Sequence, residues 1–106
     1  MSITIFLKNR HKKHLLKKLN NFKAKSSYYL RQSNNFSKAI EIAKDKMNYY
    51  LQQATEVDYD IDYYLDQADD YSSLLYQYEK DLANYNYKYS YFENRISDLQ
   101  EKLEKL

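Results

Sequence analysis

The chain of 106 residues has no glycine, proline, cysteine or tryptophan. Each absence excludes something. Without glycine, tight hairpin turns and phosphate-cradling loops lose the residue that supplies positive φ at low cost. Without proline or glycine, a helix lacks its usual stop signals, so nothing obliges a long helix to end. Without cysteine there are no disulfides and no thiolate metal sites. No run approaches the roughly 18 apolar residues of a membrane span, so an integral membrane protein is not expected. The stretch Ile3-Thr4-Ile5-Phe6-Leu7 is shorter than the core of about 7–15 residues that a secretory signal needs, and its basic residues follow it instead of preceding it. An intracellular protein, cytoplasmic or organellar and not secreted, is the expectation.

Catalysis is not expected either. There is no cysteine nucleophile, no glycine loop and no serine–histidine–acid constellation, and no cofactor is implied. Usage is otherwise skewed. Phe, Tyr, Met, Ile, Asn and Lys make up 49 residues. These have AT-rich codons, which points to an AT-rich genome: that of a low-GC bacterium or its phage, a protist, or an organelle.

The net charge of +2 hides an asymmetry. Residues 1–40 carry ten Lys/Arg and no acid, whereas residues 41–106 carry seven Lys/Arg against fifteen acids. Within the second part, residues 47–79 hold eight acids and no Lys or Arg, and residues 80–106 are balanced at five against five. A basic head, an acidic middle and a neutral tail result. Such polarity is a recognised mark of contact with nucleic acid or an anionic surface.

Periodicity is the strongest signal. With heptad position a at Ile40, Met47, Ala54, Ile61, Ala68, Leu75, Leu82, Tyr89, Ile96 and Leu103, position d falls on Ala43, Tyr50, Val57, Tyr64, Tyr71, Tyr78, Tyr85, Phe92, Leu99 and Leu106. All twenty are apolar or Tyr, where three or four sustained heptads normally suffice to identify a coiled coil. The expected fold is therefore all-α: a long coiled coil over about 37–106, left-handed because the repeat is 3.5 residues, preceded by a basic helix. The domains so drawn are a basic helical head, 1–36, and the heptad segment, 37–106, with its acidic middle. The register extends backward through Phe36, Tyr29, Phe22, Leu19 and Leu15, but Ser33 and Ser26 occupy a, so the packing face of the head is poorer. A three-helix bundle is the alternative, with cuts near Ser33–Ser37 and Asp69–Ser73. The unbroken phase through 69–73 speaks against it.

The heptad seam is expected to bind a second copy of the chain or a partner helix. The head offers Lys8, Arg10, Lys12, Lys13, Lys17, Lys18, Lys23 and Lys25 to the phosphates of RNA or DNA, with Tyr28 and Tyr29 available to stack on bases. A membrane surface would instead be met through Phe6, Leu7, Leu15, Leu16 and Leu19. The bland alternative is a solvated cationic helix that pairs with the acidic middle. His11 and His14 share a helical face, but two imidazoles are too few for a zinc site.

Asp58, Asp60, Asp62, Asp66 and Asp69 match the acidic positions of an EF-hand loop. Tyr63 stands where that loop needs glycine, and position 12 is Asp, not Glu. A calcium loop would also interrupt the heptad at Ile61 and Tyr64, so no metal is assigned. With Asp70, these acids form an exposed acidic face studded with Tyr. The leading functional expectation is a structural or adaptor coiled coil, an accessory subunit of a larger assembly anchored by its basic head. The alternative is a phage or mobile-element inhibitor whose acidic, Tyr-rich helix occupies a host nucleic-acid-binding protein.

Overall fold

The computed structural model describes residues 2–106 and contains two helices, α1 (Ile3–Glu56) and α2 (Ile61–Glu104). No strand occurs among the described residues. The all-α expectation holds.

Local chemistry accounts for the ends. At the start of α1 the Ser2 hydroxyl accepts the Ile5 amide at 3.2 Å and the Ser2 carbonyl accepts the Phe6 amide at 3.2 Å, an N-cap that satisfies donors no earlier turn can reach. After Glu56 the chain reverses through Val57-Asp58-Tyr59-Asp60. These are β-branched, aromatic and Asp residues, all middling or poor helix formers. Asp60 has φ 53°, in the left-handed region that Asp tolerates better than most non-glycine residues. Its carbonyl accepts the Tyr64 amide at 3.1 Å and so opens α2. Asp62 in the first turn and Lys102 in the last suit the helix dipole.

The long coiled coil expected over about 37–106 is not one continuous helix, because α1 ends at Glu56 and α2 begins at Ile61. Nor do the cuts of the three-helix alternative occur, since 33–37 and 69–73 are helical throughout. The phase survives the turn for a physical reason. Two helices that pack on each other need the same kind of stripe as one helix packing on a partner chain. Only Ile61, at the exit of the turn, is an exposed heptad position.

The contacts divide into two compact units. One combines the chain up to Arg31 with Asn86–Leu106, and the other is Gln32–Tyr85. In each, a stretch of α1 packs antiparallel on a stretch of α2.

In the first unit Leu15, Leu19, Ile96 and Leu99 are buried together, with Phe22, Leu103 and Leu106 against them. The Phe92 ring sits between Phe22 and Tyr29, 5.6 Å from each, and is stacked on Tyr29 at 10°. Ser26, at an a position, is 3% exposed and donates its hydroxyl to Glu93 Oε1.

In the second unit Ile40, Ala43 and Leu75 are buried, flanked by Met47, Tyr71, Tyr78 and Leu82. Phe36 lies between Tyr78 at 5.8 Å and Tyr85 at 5.4 Å. Tyr50 lies between Tyr64 at 6.4 Å and Tyr71 at 5.8 Å.

The rule is the same in both: a d-position ring on one helix wedges between two d rings one heptad apart on the other. The a position between the two flanking rings is small in two of these wedges, Ser26 between Phe22 and Tyr29 and Ala68 between Tyr64 and Tyr71, and is Leu82 in the third. From Leu15 onward every residue that is not exposed falls at a, d or g. The seam residues Ile40, Met47, Tyr64, Tyr71, Leu75, Tyr78, Leu82, Tyr85, Phe92, Ile96, Leu99 and Leu103 are all among them, covered by the chain's own other helix.

Candidate nucleic-acid interface

The two units carry opposite charge. The first holds thirteen Lys/Arg against four acids, a formal +9; the second holds four Lys/Arg against eleven acids, a formal −7. The basic head packs on the balanced tail, 86–106, and not on the acidic middle. All eight head cations, Lys8, Arg10, Lys12, Lys13, Lys17, Lys18, Lys23 and Lys25, are exposed. Among the described residues the ion pair formed is Lys105–Glu101 at 3.2 Å, so none of these eight is in one. Residues 2–14 are exposed on every side. Leu15 and Leu19, two of the five apolar residues a membrane surface would use, are buried in the seam. Of the two Tyr suggested for stacking, Tyr28 is exposed, whereas Tyr29 belongs to the seam.

Packing brings in cations that the head alone did not indicate. Lys88 and Arg95 come from α2, and each lies over a seam ring of α1: Lys88 Nζ is 5.5 Å from the Tyr29 centroid, and the Arg95 guanidinium is 5.7 Å from Phe22. Reciprocally, Lys25 Nζ of α1 is 5.4 Å from Phe92 of α2. These are cation–π distances. All three cations occupy g, so they share one side of the seam. The signal was present in the sequence, since Lys18, Lys25, Lys88, Arg95 and Lys102 recur at g. It acquires meaning only once the helices are known to be antiparallel, with g facing g.

In the acidic unit, Asp58, Asp60, Asp62, Asp66, Asp69 and Asp70 are all exposed. Asp58 and Asp60 lie in the turn and the other four on α2. No group of three or more His, Cys, Asp or Glu able to hold a metal ion exists among the described residues, so the EF-hand spacing is not gathered into a site. Tyr59 and Tyr63 are exposed beside these acids. Desolvation at the seam raises the Tyr64 hydroxyl above its ordinary pKa, helped by Tyr59, Tyr49, Asp60 and Tyr63. A shallow groove of about 280 Å³ is lined by Ala39, Ile42, Ala43, Lys46, Tyr71, Leu74 and Tyr78.

The fold and charge layout define a class: an all-α antiparallel helical hairpin with coiled-coil packing, basic in one unit and acidic in the other. No helix among the described residues is long and apolar enough to cross a membrane. No protein-family model, curated protein or solved structure matches the chain.

Proposed function

We propose that this chain is a non-enzymatic adaptor of an intracellular assembly, which anchors to nucleic acid through its basic unit and presents its acidic unit to protein partners. The observation that carries the reading is the concentration of a formal +9 in one unit, with its head cations exposed and unpaired. Phosphate contacts by Lys and Arg release condensed counterions, so affinity falls steeply as salt rises. Burial of Leu15 and Leu19 removes part of the apolar surface a lipid-binding helix requires and favours nucleic acid over membrane. The test is fluorescence anisotropy with a labelled oligonucleotide across a salt series. Binding at low salt with a steep negative slope is expected, weakened by Lys12→Gln, Lys13→Gln and Lys17→Gln together. Absence of binding at low salt would end the anchoring role.

A second reading rests on the acidic unit, where six exposed Asp and the exposed Tyr59 and Tyr63 present negative charge with aromatic rings. Such a surface imitates a nucleic acid and suits an inhibitor of a nucleic-acid-binding protein. Capture of a basic DNA-binding protein that survives Asp58→Asn, Asp62→Asn and Asp66→Asn would dismiss it.

A further inference from the structure

We infer that the g-side of the basic unit is a binding groove for single-stranded nucleic acid, with cations from both helices along its floor and Tyr28 and Tyr91 at its edges. The inference rests on the nucleic-acid reading above and names the strand type and the residues.

Three observations carry it. First, the cations are in line. Arg95 lies over Phe22, Lys88 lies over Tyr29, and Lys25 is itself residue 25 of α1. Projected on α1, the three charges therefore stand at levels 22, 25 and 29, about 5 Å apart at a rise of about 1.5 Å per residue. That is longer than the ~3.4 Å rise per phosphate of a stacked strand and suits a strand drawn out of its stack. Lys18 and Lys102 prolong the line at g, one heptad further from the turn, and both are exposed.

Second, none of the cations in the line forms an ion pair among the described residues. No acid occupies g in this unit. Glu93 is at e and accepts from Ser26. Asp98, at c of α2, borders the line but forms no ion pair there among the described residues. Like charges held this closely repel, and a polyanion relieves the repulsion.

Third, the edges are aromatic. Position c adjoins g on a helix, and Tyr28 and Tyr91 both sit at c, 43% and 49% exposed. Each is set edge-on against its seam neighbour: Tyr28 on Tyr29 at 5.2 Å, and Tyr91 on Phe92 at 5.1 Å. Their outer surfaces are thus held in place on opposite sides of the cation line. Aromatic platforms beside a cationic track are what sequence-tolerant single-strand binding requires. Each stacked base contributes about 1–3 kcal/mol there, and bases paired inside a duplex cannot reach such platforms.

The acidic unit is packed by the same ring-wedging rule and serves as the internal contrast. Lys46 lies over Tyr71 at 5.9 Å, but the other g positions there are Gln32, Ala39, Gln53, Asp60, Gln67, Leu74 and Asp81. No track forms.

The experiment measures binding of the full chain to labelled oligothymidylate and to a duplex of equal length, across a salt series, with circular dichroism as the folding control. Three variants are compared. The line variant carries Lys25→Gln, Lys88→Gln and Arg95→Gln; the head variant carries Lys12→Gln, Lys13→Gln and Lys17→Gln and loses the same charge; the edge variant carries Tyr28→Ala and Tyr91→Ala, both at exposed positions. The expected results are tighter binding of oligothymidylate than duplex and at least a tenfold larger loss in the line variant than in the head variant. The edge variant should lose about tenfold or more for the single strand, with duplex binding unchanged. Quenching of Tyr fluorescence on binding, abolished in the edge variant, is a second readout that does not depend on the line variant folding. Equal losses in the line and head variants, an edge variant that binds as the parent does, or equal affinity for duplex would each overturn the groove while leaving the anchoring role intact. Failure of the parent protein to bind any nucleic acid at low salt would remove both.

Discussion

The two units of this hairpin are built by one packing rule and carry opposite surfaces. In the basic unit Phe92 is wedged between Phe22 and Tyr29; in the acidic unit Phe36 is wedged between Tyr78 and Tyr85. Yet one unit is +9 and the other −7. The seam residues decide that two helices pair, and the residues outside the seam decide what each pair meets. They differ inside the seam as well. The basic unit buries Ser26 with a partner, the Glu93 carboxylate. The acidic unit buries Ser33 with its hydroxyl unsatisfied. It also contains the turn, where Asp60 adopts a conformation that suits glycine better.

Substitutions that distinguish the units sharpen the comparison. The largest effect is expected from the wedged rings. Phe92→Ala and Phe36→Ala should each cost about 3 kcal/mol, the low end for removing a core ring, because both rings are only half-buried. Urea unfolding gives the cost, and amide hydrogen exchange gives its place. Loss of protection confined to residues 15–29 and 88–103 for Phe92→Ala, and to 33–50 and 64–85 for Phe36→Ala, would establish the units as separate in stability. Uniform loss in both variants would show that they unfold as one and break the comparison.

The buried serines should respond with opposite sign. Ser26→Ala removes the donor to the Glu93 carboxylate, which is itself exposed, and is expected to cost about 0.5–1.5 kcal/mol. Ser33→Ala removes an unpaired buried hydroxyl and should stabilise by roughly 1 kcal/mol. A gain for both in thermal melts would mean that the hydrogen bond to Glu93 contributes nothing, and a loss for both would mean that the unpaired Ser33 hydroxyl carries no penalty.

The smallest effect is expected at the turn. Asp60→Gly relieves the left-handed backbone cost of a residue bearing a Cβ, of order 1 kcal/mol. The greater freedom glycine gives the unfolded chain offsets part of that. A net gain of about a few tenths of a kcal/mol in the free energy of urea unfolding is the expected outcome, and Asp60→Val should lose stability. If valine proved as stable as Asp, the positive φ would play no part in closing the hairpin.

Much of this was legible in the residues, and the limits have physical causes. The a and d positions from Leu15 to Leu106 were readable because burial in a helix pair depends on a period, and a period is local information. The turn was not. Without Gly or Pro it has no strong marker, and the phase on both sides of it agrees whether the partner helix is the same chain or another. Ser26 read as a weak seam position because polarity is visible in a sequence, while the ring wedged opposite it is not. The head cations Lys12, Lys13, Lys17 and Lys18 stood out as a run. Lys88 and Arg95 did not, being scattered through a neutral tail.

The sequence by itself determined a helical chain, a heptad seam and a separation of charge along its length. These follow from composition and spacing, which need no knowledge of where the chain goes. Only the tertiary structure decided that the seam closes on itself, antiparallel through Val57–Asp60, and that cations more than sixty residues apart, such as Lys25 and Lys88, lie along one face. The four-residue turn makes the helices antiparallel, and the pairing of their faces rests on ring-against-ring contacts that exist only after the chain has turned.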